Sequence, residues 1–595
     1  MAADNKDATT GGSFLIKEVG SAKVMAPELF SDDQKSTFKT GVQFAREQVL
    51  SKAEHLEKKD NAMWRDILLK AGELGFLMID IPEAYGGLGL GKTTSMLVAE
   101  AMSVYASWSV TFGAHTGIGT LPITWFGTPA QKQRYLPKLA TGEWVACYGL
   151  TETGSGSDAL GAKTRAVLSP DKKQWVLNGS KQFITNAAFA DVFIVFAKVD
   201  GEKFTAFIVE KGTPGLSVGP EEHKMGIRGS STCSLIFEDM KIPAENLLGE
   251  IGKGHKIAFN ILNLGRLKLG AGMIGGMKHH LANSLAYAQD RKQFDTPIVQ
   301  FPLMREKLAR MAQLTYAVET MTYRTSGCID DLLVGADKTA KDYDTKVIAA
   351  IEELAVESSI LKVFGSEAYG TLLDESVQMH GGYGFIEEYP VERAYRDQRV
   401  NRIFEGTNEI NRMLITGMLL KRTVKGALPL FDFAQALDEE LAKKSLPKAK
   451  GTDALAEETL ATEYLKRLAV YAIKVAAEAY GPELDKRQMI LAAIADIVMD
   501  VFALDSMISR TRQAAAGRAL DPARVAMVQS YCMGAQARSY ANAQKALASS
   551  AKGADLARHL EKISALQFFI PHDPHDLVEA VVTRIESLGG YPVVA

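Results

Sequence analysis

The sequence predicts a multidomain α+β chain in which one β-rich module interrupts helical ones. Three observations carry this. Apolar residues recur at helical spacing over long stretches before about Val145 and after Gly254. Between them the texture switches to short alternating or β-branched runs separated by turn residues. A charged segment at 441–455 then sets off a last, Ala-rich helical block. The chain divides into a helical domain 1–145, a β domain 146–253, a helical bundle 254–425, a linker 426–456 and a C-terminal helical domain 457–595.

Each element has a local reason. Ser31-Asp32-Asp33 is an N-cap signal for a helix running toward Lys58, and Thr93 opens another through Val98, Met102 and Tyr105. Strands are expected in 164–168, 175–177, 192–196 and 204–209, with Asn178-Gly179 as a hairpin turn. Long helices are expected over 257–288, 302–332, 344–368 and 408–421. In the linker, Phe433, Leu437 and Leu441 stand at helical spacing before four lysines. They read either as a face for a membrane surface or as part of a solvated helix.

Composition removes several function classes. Apolar content of 47% and charged content of 23% suit a globular protein, and a net charge of −3 gives no electrostatic case for nucleic acid. The 4 cysteines are far apart, without a CxxC pair, which suits a reducing compartment. No metal site is expected, because Pro574 makes a turn of His572-Asp573-Pro574-His575-Asp576. The apolar stretch 489–508 is broken by Asp496, Asp500 and Asp505, so no bilayer span is expected. The N-terminus looks like neither a signal peptide nor a transit peptide. A bacterial cytoplasmic location follows, with peripheral contact at the inner membrane as an option; a mitochondrial one requires a transit peptide already removed. Residues 86–93 satisfy GxxxxGK[ST], but Pro82 and Glu83 precede them and no β–α–β unit follows, so a helix-connecting loop is expected rather than a phosphate site.

Three segments carry candidate chemistry. In Phe404-Glu405-Gly406-Thr407, Gly406 permits close backbone approach and Thr407 caps a helix. Glu405 reads either as a base raised toward neutrality by apolar burial or as a carboxylate offsetting the helix dipole. The loop 148–158, rich in Gly and Ser, offers backbone access and the Thr151 and Ser157 hydroxyls to a planar heterocycle, or is simply a turn. Phe183-Ile184-Thr185 places a ring and a hydroxyl on one strand face, for a ligand or for the core.

Together these motifs resemble the acyl-CoA dehydrogenase family over nearly the whole chain. Its first signature looks like Gly149-Leu150-Thr151-Glu152 through Gly156-Ser157-Asp158, and its second like Gln378 to Phe385 with Glu388, Arg393 and Asp397. The length and the extra C-terminal block are most similar to the very-long-chain branch. The resemblance implies a helical N-terminal domain, a β-barrel middle domain, a helical bundle and an extra C-terminal helical domain, with FAD as cofactor and a homodimer. It also implies α,β-dehydrogenation of a long- or very-long-chain fatty acyl-CoA to the trans-2-enoyl-CoA, as in fatty acid β-oxidation, with electrons passing to an electron-transferring flavoprotein.

By the same resemblance Glu405 takes the pro-R α-proton as the β-hydrogen leaves as hydride to flavin N5. The flavin ribityl 2′-hydroxyl and the Glu405 N–H polarise the thioester carbonyl. Thr151 bonds the flavin pyrimidine edge, Thr185 bonds near N5, and Phe183 packs on the ring, where relatives often carry Trp. Tyr148, Leu150, Gly156, Ser157 and Ile184 complete that side. Arg291, Gln293 and Phe294 reach the FAD of the partner subunit, and Gln378, Gly381 and Gly382 lie along the same dinucleotide with Gly406, Thr407, Asn408 and Glu409. Ser157, Asn263, Arg266, Phe404, Glu405 and Gly406 contact substrate, with Asn263 and Arg266 at the CoA portion. The alternative position for the base, on the first helix after the β domain, is Gly265 here, which leaves Glu405. Gly113, Gly117 and Gly119 either open a slot for the acyl tail or serve close helix packing. Two rival readings stay in view: a scaffold or assembly protein on this fold, and an acyl-CoA oxidase.

Overall fold

The computed structural model describes residues 9–593. Helices fill the first part of the chain. Among them, α1 (Asp32–Phe44) starts at Ser31, whose side chain accepts from Gln34 N in a capping box. The expected run toward Lys58 continues as a series of short turns ending with Ala53–Leu56. Helix α2 (Lys92–Ala101) stops short of Tyr105, which caps α3 (Ala106–Gly113). The chain then widens into a π-helical turn at Ala114–Gly119.

The middle domain is an eight-stranded sheet: β1 (Ala146–Gly149), β2 (Arg165–Leu168), β3 (Gln174–Thr185), β4 (Val192–Val199), β5 (Lys203–Glu210), β6 (Leu216–Val218), β7 (Thr232–Pro243) and β8 (Leu247–Leu248). The order is β6-β7-β3-β2-β4-β5-β8, with β1 parallel to β4. Among the described residues no pairing joins β6 to β8, so the expected barrel is an open, curved ladder. The expected hairpin at Asn178-Gly179 is also corrected. β3 runs straight through it against β7 with a register shift between Leu177 and Gly179. Gly179 takes φ +143 because Thr164 packs too close for any Cβ, and the reversal lies earlier, between β2 and β3.

Helices α4 (Gly254–Asp290), α5 (Pro302–Leu332), α6 (Ala355–His380) and α7 (Asn408–Val424) build the bundle. The single helix expected over 344–368 is two, broken at Leu354. In the linker, α8 (Leu430–Ala442) turns its apolar stripe inward. Leu437 is buried, and Phe433 and Leu441 pack against the core, with the Arg467 guanidinium 5.5 Å from the Phe433 ring centroid. The stripe that reads in sequence as membrane-facing or solvated packs, wholly at Leu437 and partly at Phe433 and Leu441, against protein. The C-terminal helices are tied to the bundle by buried charge pairs, Arg510 to Glu319 at 2.6 Å and Arg324 to Asp505 at 2.8 Å. No helix among the described residues is long and apolar enough to cross a membrane.

Candidate active site

The phosphate-loop pattern at 86–93 is filled from within. Asp330 of α5 accepts from Lys92 N at 2.6 Å and Thr93 N at 2.8 Å, and the Lys92 ammonium pairs with Asp80. Both the helix N-terminus and the lysine are taken by carboxylates, so no anion is left to bind. His572 pairs with Glu458, and no metal-holding cluster occurs among the described residues.

Glu405 lies just before α7, where Thr407 Oγ1 accepts from Ile410 N at 3.3 Å. Its backbone sits at φ +58, a strained value for a carboxylate residue, and Gly406 follows at +80. Two side chains hold that turn. Asn411 Nδ2 donates to the Gly406 carbonyl at 2.8 Å, and Arg266 Nε donates to the Glu405 carbonyl at 3.2 Å. Asn263 Oδ1 in turn accepts from Arg266 at 2.9 Å. Asn263 and Arg266, expected at the CoA portion, are thus buried braces for the turn.

The Glu405 side chain stands at the head of a cavity with about 1010 Å³ of empty space, its mouth included. Its Oε2 is shut off from water and has no hydrogen-bond partner. Desolvation pushes its pKa up to about 7, against the pull of the Arg266 and Lys362 cations. The dipole-matched alternative predicts the opposite, a carboxylate with a low pKa. No acceptor is found for the Glu405 N–H among the described residues. Thr185 and Phe404 line the same cavity. The Tyr148 hydroxyl, also buried and unpartnered, feels the Glu405 charge.

The cavity wall explains two of the three glycines. Gly113 lines it with open space before it and Gly117 lines it with the Lys268 Cδ 3.7 Å from where a Cβ would lie, whereas a Cβ on Gly119 would meet Ala146 at 2.8 Å. The first two open a slot; the third serves packing. Gly265 also lines the cavity. A Cβ there would lie 2.6 Å from Glu405 Oε2, so positions 265 and 405 aim at one point.

The other expected residues divide into two groups. Leu150 and Ile184 are buried supports, and Gly156 and Ser157 stand exposed on a loop that Glu152 anchors. Glu152 accepts from Thr164 N at 3.0 Å and from Lys181 Nζ at 2.6 Å. Thr151 is half-buried beside it, and its carbonyl accepts from Gln182 N at 2.9 Å. Phe183 lies at a break in the regular strand. A second register shift gives it φ +61 and leaves its ring 62% exposed, which rules out a core role.

The second group lies on a separate groove. Arg291, Gln293, Gly381 and Gly382 line it together with Tyr287 and Tyr383. Phe294 sits at the tip of a tight turn, φ +51 followed by +58 at Asp295, and is 88% exposed. Gln378 is exposed nearby. A Cβ on Gly381 or Gly382 would meet nothing, and among the described residues Arg291 has no carboxylate partner. An unpaired guanidinium beside a bare glycine ridge is a fit for a diphosphate. Asn408 behaves differently: its amide is consumed by Lys362 at 2.7 Å, Ser366 and Glu367, so it supports the turn from beneath. Glu409 is exposed.

Lys362 went unread in the sequence, since a lone lysine in an apolar helix carries no motif. It is fully buried, and desolvation pushes its pKa down to about 7. Four domain models of one family match in order. They are the acyl-CoA dehydrogenase N-terminal domain over residues 31–143, the middle domain over 147–240, and two C-terminal domains over 252–420 and 464–564. A probable acyl-CoA dehydrogenase of Bacillus subtilis is 51% identical over 525 residues, 88% of each chain.

The chain belongs to the acyl-CoA dehydrogenase family. The mitochondrial very long-chain specific acyl-CoA dehydrogenase of Bos taurus is 35% identical, covering 90% of this chain and 84% of that one. Among solved structures, an acyl-CoA dehydrogenase complexed with FAD from Bacillus anthracis superposes with a TM-score of 0.96 at 47% identity, over 98% of this chain and 100% of that one.

Proposed function

We propose that this protein is an FAD-dependent dehydrogenase that converts long- or very-long-chain fatty acyl-CoA to the trans-2-enoyl-CoA. The observation that carries the reading is the Glu405 carboxylate, unpaired and raised to about 7 at the head of an apolar cavity. FAD, when bound, supplies the hydride acceptor. Glu405 removes the α-proton. The unpaired Glu405 N–H donates to the thioester carbonyl, where negative charge develops. The apolar walls at Phe112, Ile118 and Leu269 hold the tail and exclude water.

The cofactor would be held by two copies of the chain. Thr151, Phe183 and Thr185 face its ring system in one, and Arg291, with Gly381 and Gly382, takes the diphosphate from the other. The exposed Phe294, Tyr383 and Phe385 beside that groove suit such a homodimer. An electron-transferring flavoprotein is the acceptor that fits a flavin sealed in this way, and fatty acid β-oxidation is the role that fits the product.

The test is an anaerobic titration of the purified yellow protein with saturated acyl-CoAs of short, medium and long chain, following flavin absorbance. Stoichiometric bleaching by the long chains is expected, and Glu405→Gln should keep FAD and lose the bleaching. Bleaching retained in that variant would remove Glu405 as the base. No bleaching by any thioester would favour a scaffold role, and rapid peroxide release on reoxidation would favour an oxidase.

A further inference from the structure

A cavity for a plain hydrocarbon needs only apolar walls, yet this one contains charge. On α4, Gly265 faces the Glu405 carboxylate, and Lys268, Leu269 and Gly272 follow along the same lining. Lys268 thus stands about one helical turn, roughly 4.5 Å of rise, beyond the base. Its Nζ donates to Asp80 Oδ2 at 2.8 Å, and Ser95 Oγ donates to the same oxygen at 2.7 Å. Asp80 and Ser95 also line the cavity. Behind them Lys92 takes the other Asp80 oxygen, with the Trp125 ring centroid 5.5 Å from its Nζ.

The cluster is dry. The side chains of Asp80, Lys92 and Lys268 are 5%, 7% and 12% exposed. Two ammoniums share the Asp80 carboxylate as their direct partner, while Asp330 takes the backbone N–H groups of Lys92 and Thr93. Both lysines hold the Asp80 carboxyl far below its usual range in spite of its burial, so that carboxylate stays ionised. Among the described residues no second carboxylate pairs with either lysine. Burying a cation is costly unless a counter-charge pairs with it. Lys268 lines the cavity, and its ammonium makes one of the three hydrogen bonds it can donate.

We propose that Lys268, set by Asp80 and Ser95, is a binding station for a carboxylate on the distal part of the acyl chain. The cavity then takes the mono-CoA thioesters of dicarboxylic acids as well as plain fatty acyl-CoAs. This rests on the acyl-chain reading above and adds the chemical class of the tail. A carboxylate reaching the station gives the Lys268 ammonium a second partner, and a chain too short to reach it does not.

The test uses the FAD-loaded protein and anaerobic stopped-flow flavin reduction. Two series are compared at matched lengths, unsubstituted saturated acyl-CoAs and their ω-carboxyl counterparts. In the wild type the ω-carboxyl series should show a sharp optimum in length, at which it half-saturates on the order of tenfold lower than its unsubstituted match. Lys268→Met should collapse that ratio, and Lys268→Arg should restore it. The Met variant leaves Asp80 paired with Lys92, a neutral couple, and should therefore fold. Should it not fold, the wild-type comparison decides. Reduction by unsubstituted chains with none by ω-carboxyl chains of any length would overturn the station and leave the acyl-chain reading standing. An ω-carboxyl optimum unmoved in Lys268→Met would also overturn it. No reduction by either series would overturn both.

Discussion

Replacing Gly265 by Ala tests the geometry of the base with a single methyl group. The added Cβ would lie 2.6 Å from Glu405 Oε2 and 3.1 Å from its Cδ. Restoring ordinary contact requires the carboxylate to retreat by about 1 Å. The backbone cannot supply this movement, because the Glu405 carbonyl is bonded to Arg266 and Asn411 and its φ is already +58. The side chain must rotate, which takes the carboxylate off the line of proton transfer. A misplacement of about 1 Å costs on the order of 100-fold in rate. The assay is single-turnover flavin reduction under saturating acyl-CoA, beside a thermal melt. Ala is favoured over Gly in a helix interior by about 1 kcal/mol, so the rate should fall without a matching loss of stability. A rate within about twofold of the wild type would refute the placement of Glu405, since such a change is too small for a displaced base.

Four further outcomes are expected. Flavin reduction should fall tenfold per pH unit below about 7, where Glu405 protonates; a flat profile from pH 5 to 8 would contradict the raised carboxylate. The same shift acts on stability: protonation of Glu405 stabilises the fold fully below the unfolded value near 4.5, and this is lost as pH rises through about 7. The melting temperature of Glu405→Gln should accordingly gain on the wild type across that window. Lys362→Met removes one of the two cations that pull Glu405 down, so the acid limb of the pH–rate profile should move upward; an unmoved limb would detach Lys362 from the base. Glu152→Gln strands the fully buried Lys181, with an expected cost of about 3–5 kcal/mol and weaker FAD retention; an unchanged melt and cofactor content would show that the loop is anchored otherwise.

Much of the site was legible because its parts are close in sequence. Glu405, Gly406 and Thr407 form one turn, and the cap that Thr407 provides is a local interaction. The domain order followed from the change of hydrophobic period alone. What escaped was set by partners far along the chain. Asp80 and Lys268 meet across 188 positions, and Lys362 is defined by Asn408, 46 positions away. Strand register escaped as well: Asn178-Gly179 carries the residues of a turn, but the long partner β7 holds the strand straight, and the extra residue of the bulge lies on β7, where Asp239 takes φ +44. The bulge between Lys181 and Ile184, which exposes Phe183 at φ +61, also had no mark in the sequence. Arg266 was assigned to the CoA portion by resemblance alone; its bond to the Glu405 carbonyl, across 139 positions, had no mark in the sequence.

The carboxylate of Asp330 that fills the mock phosphate loop has a consequence for the shape of the substrate tunnel. It grips the first turn of α2 from α5, and α2 carries Ser95, Val98 and Ala99, which form part of the tunnel wall. The wall is therefore tied to the bundle by two backbone hydrogen bonds, besides its ties to its own domain through Asp80 and Gln34. Sliding α2 by one turn would break both of them and unseat Lys92 from Asp80 as well. The position of this wall thus depends on a contact between domains, and a substitution at Asp330, remote from Glu405, would be felt first as a changed shape of the cavity.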